Sequence, residues 1–347
     1  MATDVELTAV RPTHRFDEKA LATYLADNLE GFNGPLEVRQ FEGGQSNPTF
    51  QLTAGGRDYV MRKKPPGDLL PSAHLVHREH RVISALAASG VPVPEAYHLC
   101  RDPAIIGTDF FVMKKVEGRV LIDPSLQSFS RDDRAALYDH FIEVLAALHQ
   151  VDYEAVGLGD FGRPGNFYAR QIDRWTKQYV ASKTDDLPDM DKLMAWLPDN
   201  IPASDDSAIV HGDYRIGNCV LHPTEPRIVA VLDWELCTLG HPLADLSYCC
   251  MGYHGTISRG DTFVGVDFDA TGIPSEDAFV ARYCELTGRD GIDDWNFYIV
   301  FSLFRSAAIV QGVYKRGLDG NASSGQTDQF ADACRIRADW AWRLVDR

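Results

Sequence analysis

Positive charge is what this sequence is short of. Its 347 residues carry 34 Lys and Arg against 50 Asp and Glu, a formal net charge of −16. A chain this acidic lacks the basic footprint that grips a phosphate backbone, so no nucleic-acid partner is expected. The acidic surplus serves solubility or draws in a cationic substrate, and composition does not choose between them. Cysteine is sparse and unpatterned: seven residues, no CxxC pair, and two of them, Cys249 and Cys250, adjacent. Neighbouring cysteines bridge poorly, which points to reduced thiols in a cytoplasmic setting. Long apolar runs are missing too. The most apolar stretch, Phe297 to Val313, is interrupted by Arg305 and Gln311, and the N-terminus has no apolar core of a secretory signal. Neither membrane nor export is therefore expected. With 45% hydrophobic and 24% charged residues, the chain can bury a core and is long enough for two domains or one bilobal unit.

Residues 16–29 place Leu21, Tyr24, Leu25 and Leu29 on one helical face and stop at Gly31. Residues 36–67 read as three strands, with Gly55-Gly56 the hairpin turn between the last two. Between the first two lies GGQSN, in which Gly43, Gly44, Ser46 and Asn47 are candidates for a loop over nucleotide phosphates. Glycine lets the backbone approach closely and turn its N–H groups toward an anion, although a plain hairpin turn has the same composition. The third strand ends in Arg62, Lys63 and Lys64. Strand alternation sets Arg62 and Lys64 on one face and Lys63 on the other. Arg62, directly after the apolar strand core, is the favoured phosphate cation, and Lys64 the second. A helix over 73–89, with Leu75, Val82, Ile83 and Leu86 inward, offers Glu79 as the carboxylate that braces such a cation. Its His74, His77 and His80 are spaced by three and rotate around the helix, so they converge poorly on a metal. Phe110 to Met113 reads as a strand, followed by a connector whose backbone could bond a base; Met113, Lys115 and Val116 are the candidates. The domain boundary is placed near Glu117-Gly118, giving domains 1–117 and 118–347.

The chain beyond that boundary reads as helices over 131–149, 166–179, 190–201 and 295–320. GLGDFG, Gly157 to Gly162, satisfies G-x-G-x-x-G and contains Asp-Phe-Gly, yet no strand precedes it and no helix follows, so it reads as loop. The chemistry-bearing stretch is HGDYRIGN, His211 to Asn218, followed by LDWE, Leu232 to Glu235. The segment 208–235 reads as a short strand, a loop, and two strands joined by HPTEPR. Asn218 heads the first strand of that hairpin and Asp233 ends the second, so pairing brings them together. An Asp, an Asn five residues on and a later strand-terminal Asp is the order of a kinase catalytic loop and its metal ligand. Phosphoryl transfer needs a carboxylate to orient the attacking hydroxyl and oxygen ligands to hold Mg²⁺ on the nucleotide. Asp213, His211 and Arg215 are the catalytic candidates. Asp245 precedes another helix and either braces this loop or caps that helix. Glu235, Arg305, Gln311 and Tyr314 are candidates for binding an acceptor, Arg305 because an unpaired charge amid apolar residues is costly.

These motifs, with GGQSN, a basic third strand and Glu79 upstream, resemble the aminoglycoside phosphotransferase and choline kinase superfamily over roughly residues 30–320. QFEGGQSNPTF, YVMRKKPPG, WELCTLGHPLADLSY and AAIVQGVYKRGLDGNASS look most like the phosphotransferase-like domain found alone in bacteria and fused to some acyl-CoA dehydrogenases. The resemblance implies a protein-kinase-like α+β fold, bilobal, with a small antiparallel-sheet N-lobe and a larger, mostly helical C-lobe. It implies Asp213 as base, His211 as loop brace, and Asn218 and Asp233 as Mg²⁺ ligands. Many relatives have lysine where Arg62 stands. The expectation is an ATP- and Mg²⁺-dependent kinase of a small molecule, with ATP in the cleft between lobes and a metabolic hydroxyl compound as acceptor. The alternatives are an aminoglycoside or amino-alcohol kinase, a nucleotide-binding module without chemistry, and a metal-dependent hydrolase using His211, Asp213, Asp233, Glu235 and His241. GTP in place of ATP and the oligomeric state stay open.

Overall fold

The computed structural model describes residues 6–42, 47–65, 75–255, 262–319 and 330–345. In chain order they form β1 (Leu7–Thr8), α1 (Glu18–Asn28), β2 (Glu37–Phe41), β3 (Thr49–Ala54), β4 (Arg57–Lys63), α2 (Val76–Leu86), β5 (Ala96–Cys100), α3 (Pro103–Ile106) and β6 (Phe110–Lys114). There follow α4 (Arg131–His149), α5 (Phe167–Ser182), α6 (Pro188–Asp199), β7 (Ala208–Val210), β8 (Cys219–Leu221), β9 (Ile228–Val231) and β10 (Thr238–Gly240). Last come α7 (Leu243–Cys250), α8 (Phe268–Thr271), α9 (Glu276–Thr287), α10 (Trp295–Leu318) and α11 (Ala333–Val345). The class is α+β. The chain divides into two compact units: Met1–Ile122 with Val156–Leu158 and Ile216–Cys237, and Asp123–Ala155 with Gly159–Arg215 and Thr238–Arg347. The division is thus not a single cut, and HGDYRIGN is split between Arg215 and Ile216.

The first unit is built on an antiparallel sheet in the order β1-β2-β3-β4-β6-β5. Gly55 and Gly56 turn β3 into β4 with φ of 58° and 74°, the left-handed pair that a two-residue hairpin loop requires. One core of this unit joins Leu21 and Leu25 of α1 to Phe50, Leu52, Met61, Phe110 and Val112 of the sheet. Asp17 caps α1 by accepting from the backbone of Lys19 and Ala20, each at 2.9 Å, which satisfies two of the helix's orphan donors. The hairpin β8–β9 is antiparallel, and Leu221 exchanges two 2.8 Å backbone bonds with Arg119. Here Gly118 is obligatory, because a Cβ would stand 2.3 Å from the Leu221 carbonyl oxygen.

The second unit is mostly helical. Ser130 starts α4 by accepting from Asp133 N at 3.1 Å. The 24-residue α10 packs against α5, α7 and α11 and buries Phe297, Phe301, Phe304 and Ala308. By length and composition alone it could cross a bilayer; in this fold it is the core helix of its unit. GLGDFG forms turns, with Phe161 buried. β1, β5, α9 and α11 were not among the expected elements, and Asp245 sits in the first turn of α7 rather than before it.

Candidate active site

Strand alternation along β4 sends consecutive basic side chains to opposite faces. Lys63 is buried against the rings of Phe16 and Phe50, 5.9 and 6.0 Å from their centroids, and desolvation pushes its ammonium down. Arg62, on the other face, is 7% exposed. It donates Nη1 to Glu79 of α2 and Nη2 to Asp233 Oδ1, the latter at 2.9 Å. Burial opposes the Arg62 charge, but Glu79 and Asp233 outweigh it and hold the guanidinium above its ordinary value. Burial pushes Glu79 up to about 7 against the pull of Arg62. Lys64 lies past the strand end; its backbone N–H bonds Asp109 O at 3.2 Å, and its side chain is half-buried.

The β8–β9 hairpin sets Asn218 and Asp233 beside this pair. Leu232 N donates to Asn218 O at 2.8 Å, so the two side chains leave one end of the same ladder. Asp233 adopts φ 66°, ψ 54°, a left-handed conformation that Asp tolerates better than bulkier residues and that often marks functional positions. Glu235, on the next turn, accepts from Asn47 Nδ2 at 3.1 Å. A cavity of about 520 Å³ within this unit is lined by Arg62, Glu79, Asn218 and Asp233 at its polar side. Val60, Ile83, Met113, Val116, Val220 and Leu232 form its apolar walls, and Lys115 also lines it. Lys115 is anchored to Asp58 at 2.8 Å.

These residues fit a nucleotide with its cation. The apolar walls suit a base, and the buried Arg62 Nε–H has no hydrogen-bond partner among the described residues. Asn218 and Asp233 offer an amide oxygen and a carboxylate, hard donors that suit Mg²⁺ completed by phosphate oxygens. Gly43, Gly44 and Ser46 lie outside the described residues, as does His74.

In the second unit β7 delivers the chain to His211, and Asp245 of α7 holds the loop. Its buried carboxylate accepts from His211 N at 2.6 Å and Gly212 N at 2.8 Å. Burial raises Asp245, but His149, His211 and the Gly212 N–H overcome it and hold the carboxyl below its ordinary value. His149 Nε2 stands 3.4 Å from Asp245 Oδ2, with its Nδ1 2.7 Å from the Tyr283 hydroxyl. The loop presents Asp213, whose backbone N–H donates to His211 Nδ1 at 3.2 Å. Tyr248 donates its hydroxyl to Asp213 Oδ1, and the exposed Arg215 lies 3.4 Å from Oδ2. Such a carboxylate, oriented and partly exposed, can take a proton from a bound hydroxyl. Arg305 of α10 donates to Gly212 O at 2.6 Å.

The acceptor candidates are divided between the two units. Glu235 belongs to the first unit, beside Asn47, while Arg305 stays with the Asp213 loop in the second. Gln311 is buried and donates to Ser182 O at 2.9 Å and Thr184 Oγ1 at 3.0 Å. Through these bonds it ties off the end of α5. Tyr314 lies half-buried near the end of α10. His241 is buried beneath the Tyr298 ring, 5.6 Å between centroids, and bonds Ser204 Oγ at 3.2 Å, which leaves the metal-hydrolase set without a core. Among the described residues no three His, Cys, Asp or Glu are grouped to hold a metal. Tyr248 escaped the sequence reading, although it stands one helical turn after Asp245 in ADLSY.

Residues 37–285 match the phosphotransferase enzyme family, and the chain belongs to that family. It is 49% identical to a provisionally named aminoglycoside phosphotransferase from Ralstonia eutropha, covering 96% of this chain and 99% of that one with a TM-score of 0.88. Acyl-CoA dehydrogenase family member 11 of Gallus gallus is 44% identical over 100% of this chain, which spans 46% of that protein's length. A ternary complex of aminoglycoside phosphotransferase APH(4)-Ia with AMP-PNP and hygromycin B has a TM-score of 0.61 at 17% identity, over 94% of this chain and 98% of that one. That likeness is one of fold, the kinase-like α+β architecture.

Proposed function

We propose that this chain is an ATP:alcohol phosphotransferase that moves the γ-phosphoryl group to a hydroxyl of a small molecule. The observation that carries the reading is the Arg62 fork joined to both Glu79 and Asp233 at the wall of the 520 Å³ cavity. In this reading Arg62 binds the nucleotide phosphates, Glu79 holds Arg62 in place, and the apolar walls around Met113 and Val116 receive the base. Asn218 and Asp233 hold Mg²⁺, which when bound offsets phosphate charge. Asp213, oriented by Tyr248 and Arg215, positions the acceptor hydroxyl and takes its proton as the oxygen bonds to phosphorus and ADP leaves. The AMP-PNP bound by APH(4)-Ia supports the choice of ATP. The acceptor in this reading is a metabolic hydroxyl compound, a hydroxy acid or hydroxyacyl thioester.

The net charge of −16 is compatible with a second reading, an aminoglycoside or amino-alcohol kinase. Thermal stabilisation by ATP with and without Mg²⁺, followed by ADP release over a panel of hydroxyl compounds, tests both. Mg²⁺-dependent stabilisation with acceptor-dependent ADP release is the expected result. Stabilisation without ADP release from any acceptor would instead indicate a binding module.

A further inference from the structure

The second unit carries an arginine pair that phosphate binding leaves unused. Arg174 of α5 and Arg305 of α10 both lie against the indole of Trp175, their guanidinium carbons 5.0 and 5.7 Å from its ring centroid. Trp175 is buried, with its Nε1–H committed to Gln171 at 3.1 Å, so the platform is fixed. Arg305 also lies 5.7 Å from the ring centroid of Tyr248, whose hydroxyl donates to Asp213. Arg305 is therefore one residue removed from the carboxylate that orients the acceptor, and Arg174 joins it across the shared indole.

Neither arginine meets a carboxylate among the described residues. Elsewhere in the same unit Arg282 is shared by Asp139, Glu143 and Glu285, and Arg289 pairs with Asp206. In a chain of net charge −16, two arginines on one indole without an acid, one of them bonded to the Asp213 loop, are a selective omission. Desolvation, and then the charge of Arg305, push the Arg174 guanidinium down. The smaller of the two causes is like-charge repulsion, and a bound anion relieves it. A guanidinium stacked on an aromatic face keeps its N–H edge open for an oxyanion. Arg305 spends one donor on Gly212 O, whereas Arg174, on the exposed side of the indole, has no such bond among the described residues.

We propose that Arg174 and Arg305 form an anion-binding subsite beside Asp213, so that the acceptor hydroxyl arrives on a molecule carrying a carboxylate or phosphate. This rests on Asp213 acting on the acceptor. The subsite disfavours aminoglycosides and amino alcohols, whose ammonium groups meet the same repulsion the arginines exert on each other.

The test uses the full chain and four matched probe sets: short hydroxyalkanoates, their coenzyme A thioesters, the corresponding diols and the corresponding amino alcohols. ADP release and calorimetric binding are read for wild type and Arg174→Gln. Wild type should prefer an anionic probe over the diol by about 10- to 100-fold in kcat/KM, and Arg174→Gln should erase most of that preference through KM. Preference for the free acid identifies the carboxylate as the anion held; preference for the thioester identifies its phosphates. Equal or better use of amino alcohols, or a preference untouched by Arg174→Gln, overturns the subsite while leaving phosphoryl transfer intact. Arg174-dependent binding of an anionic probe without any ADP release overturns the transfer reading and leaves the subsite standing.

Discussion

Arg62 and Asp233, 171 positions apart, are joined by a 2.9 Å bond between Nη2 and Oδ1. One sits near the end of a sheet strand and the other just past a hairpin strand, and Glu79 occupies the second arm of the same guanidinium. A buried cation shared by two carboxylates is self-consistent only while all three are present, because each desolvated charge depends on the others.

Replacing Arg62 by Met therefore leaves Glu79, 1% exposed, without its counter-charge. The expected loss of stability is about 3–5 kcal/mol, read from urea unfolding. Replacing Glu79 by Leu in the same chain should recover much of it, and neither variant should bind ATP as wild type does. If the single variant unfolds at the wild-type urea concentration, Arg62 and Glu79 are not energetically coupled.

Tyr248→Phe keeps the ring beneath Arg305 and deletes only the donor to Asp213. Hydrogen bonds to charged groups contribute about 1.5–3 kcal/mol, so kcat should fall roughly 10-fold or more, with ATP-dependent stabilisation preserved. A hydroxyl that merely fills space would leave kcat unchanged, and steady-state kinetics separates the two.

His241 predicts an acid limb in stability. Burial, opposed by Asp206 and aided by Arg289, pushes it from 6.5 down to about 4, so the fold holds it neutral. The unfolded chain takes up a proton as pH falls through 6.5 and the folded chain does so only near 4. The stabilisation is thus complete above 6.5 and lost between 6.5 and 4, at up to about 1.4 kcal/mol per pH unit. Urea titrations across that window should show the slope, and His241→Asn should flatten it. An unchanged slope in the variant would assign the acid limb to other groups.

Elements with a strong local signature were legible in the sequence. Helix 131–149 has its cap and periodicity in one stretch, and alternation along β4 alone separates Arg62 from Lys63. Asn218 and Asp233 could be paired because a short turn joins their strands. β1, with two residues, and β5, behind a proline-rich approach, have too little pattern to stand out. Gln311 shows what such a pattern carries: a polar residue on an apolar helix signals a buried partner, and the end of α5 is one that no local spacing names. Tyr248 and Arg174 depend on which helices pack together, and no local spacing encodes that.

In the proposed reaction Asp213 orients and deprotonates an acceptor hydroxyl. Single-turnover transfer from ATP by Asp213→Asn, with ATP-dependent thermal stabilisation measured on the same protein, tests it most directly. The expected result is stabilisation like wild type and a rate about 10²–10⁴-fold lower. Transfer at the wild-type rate would contradict it.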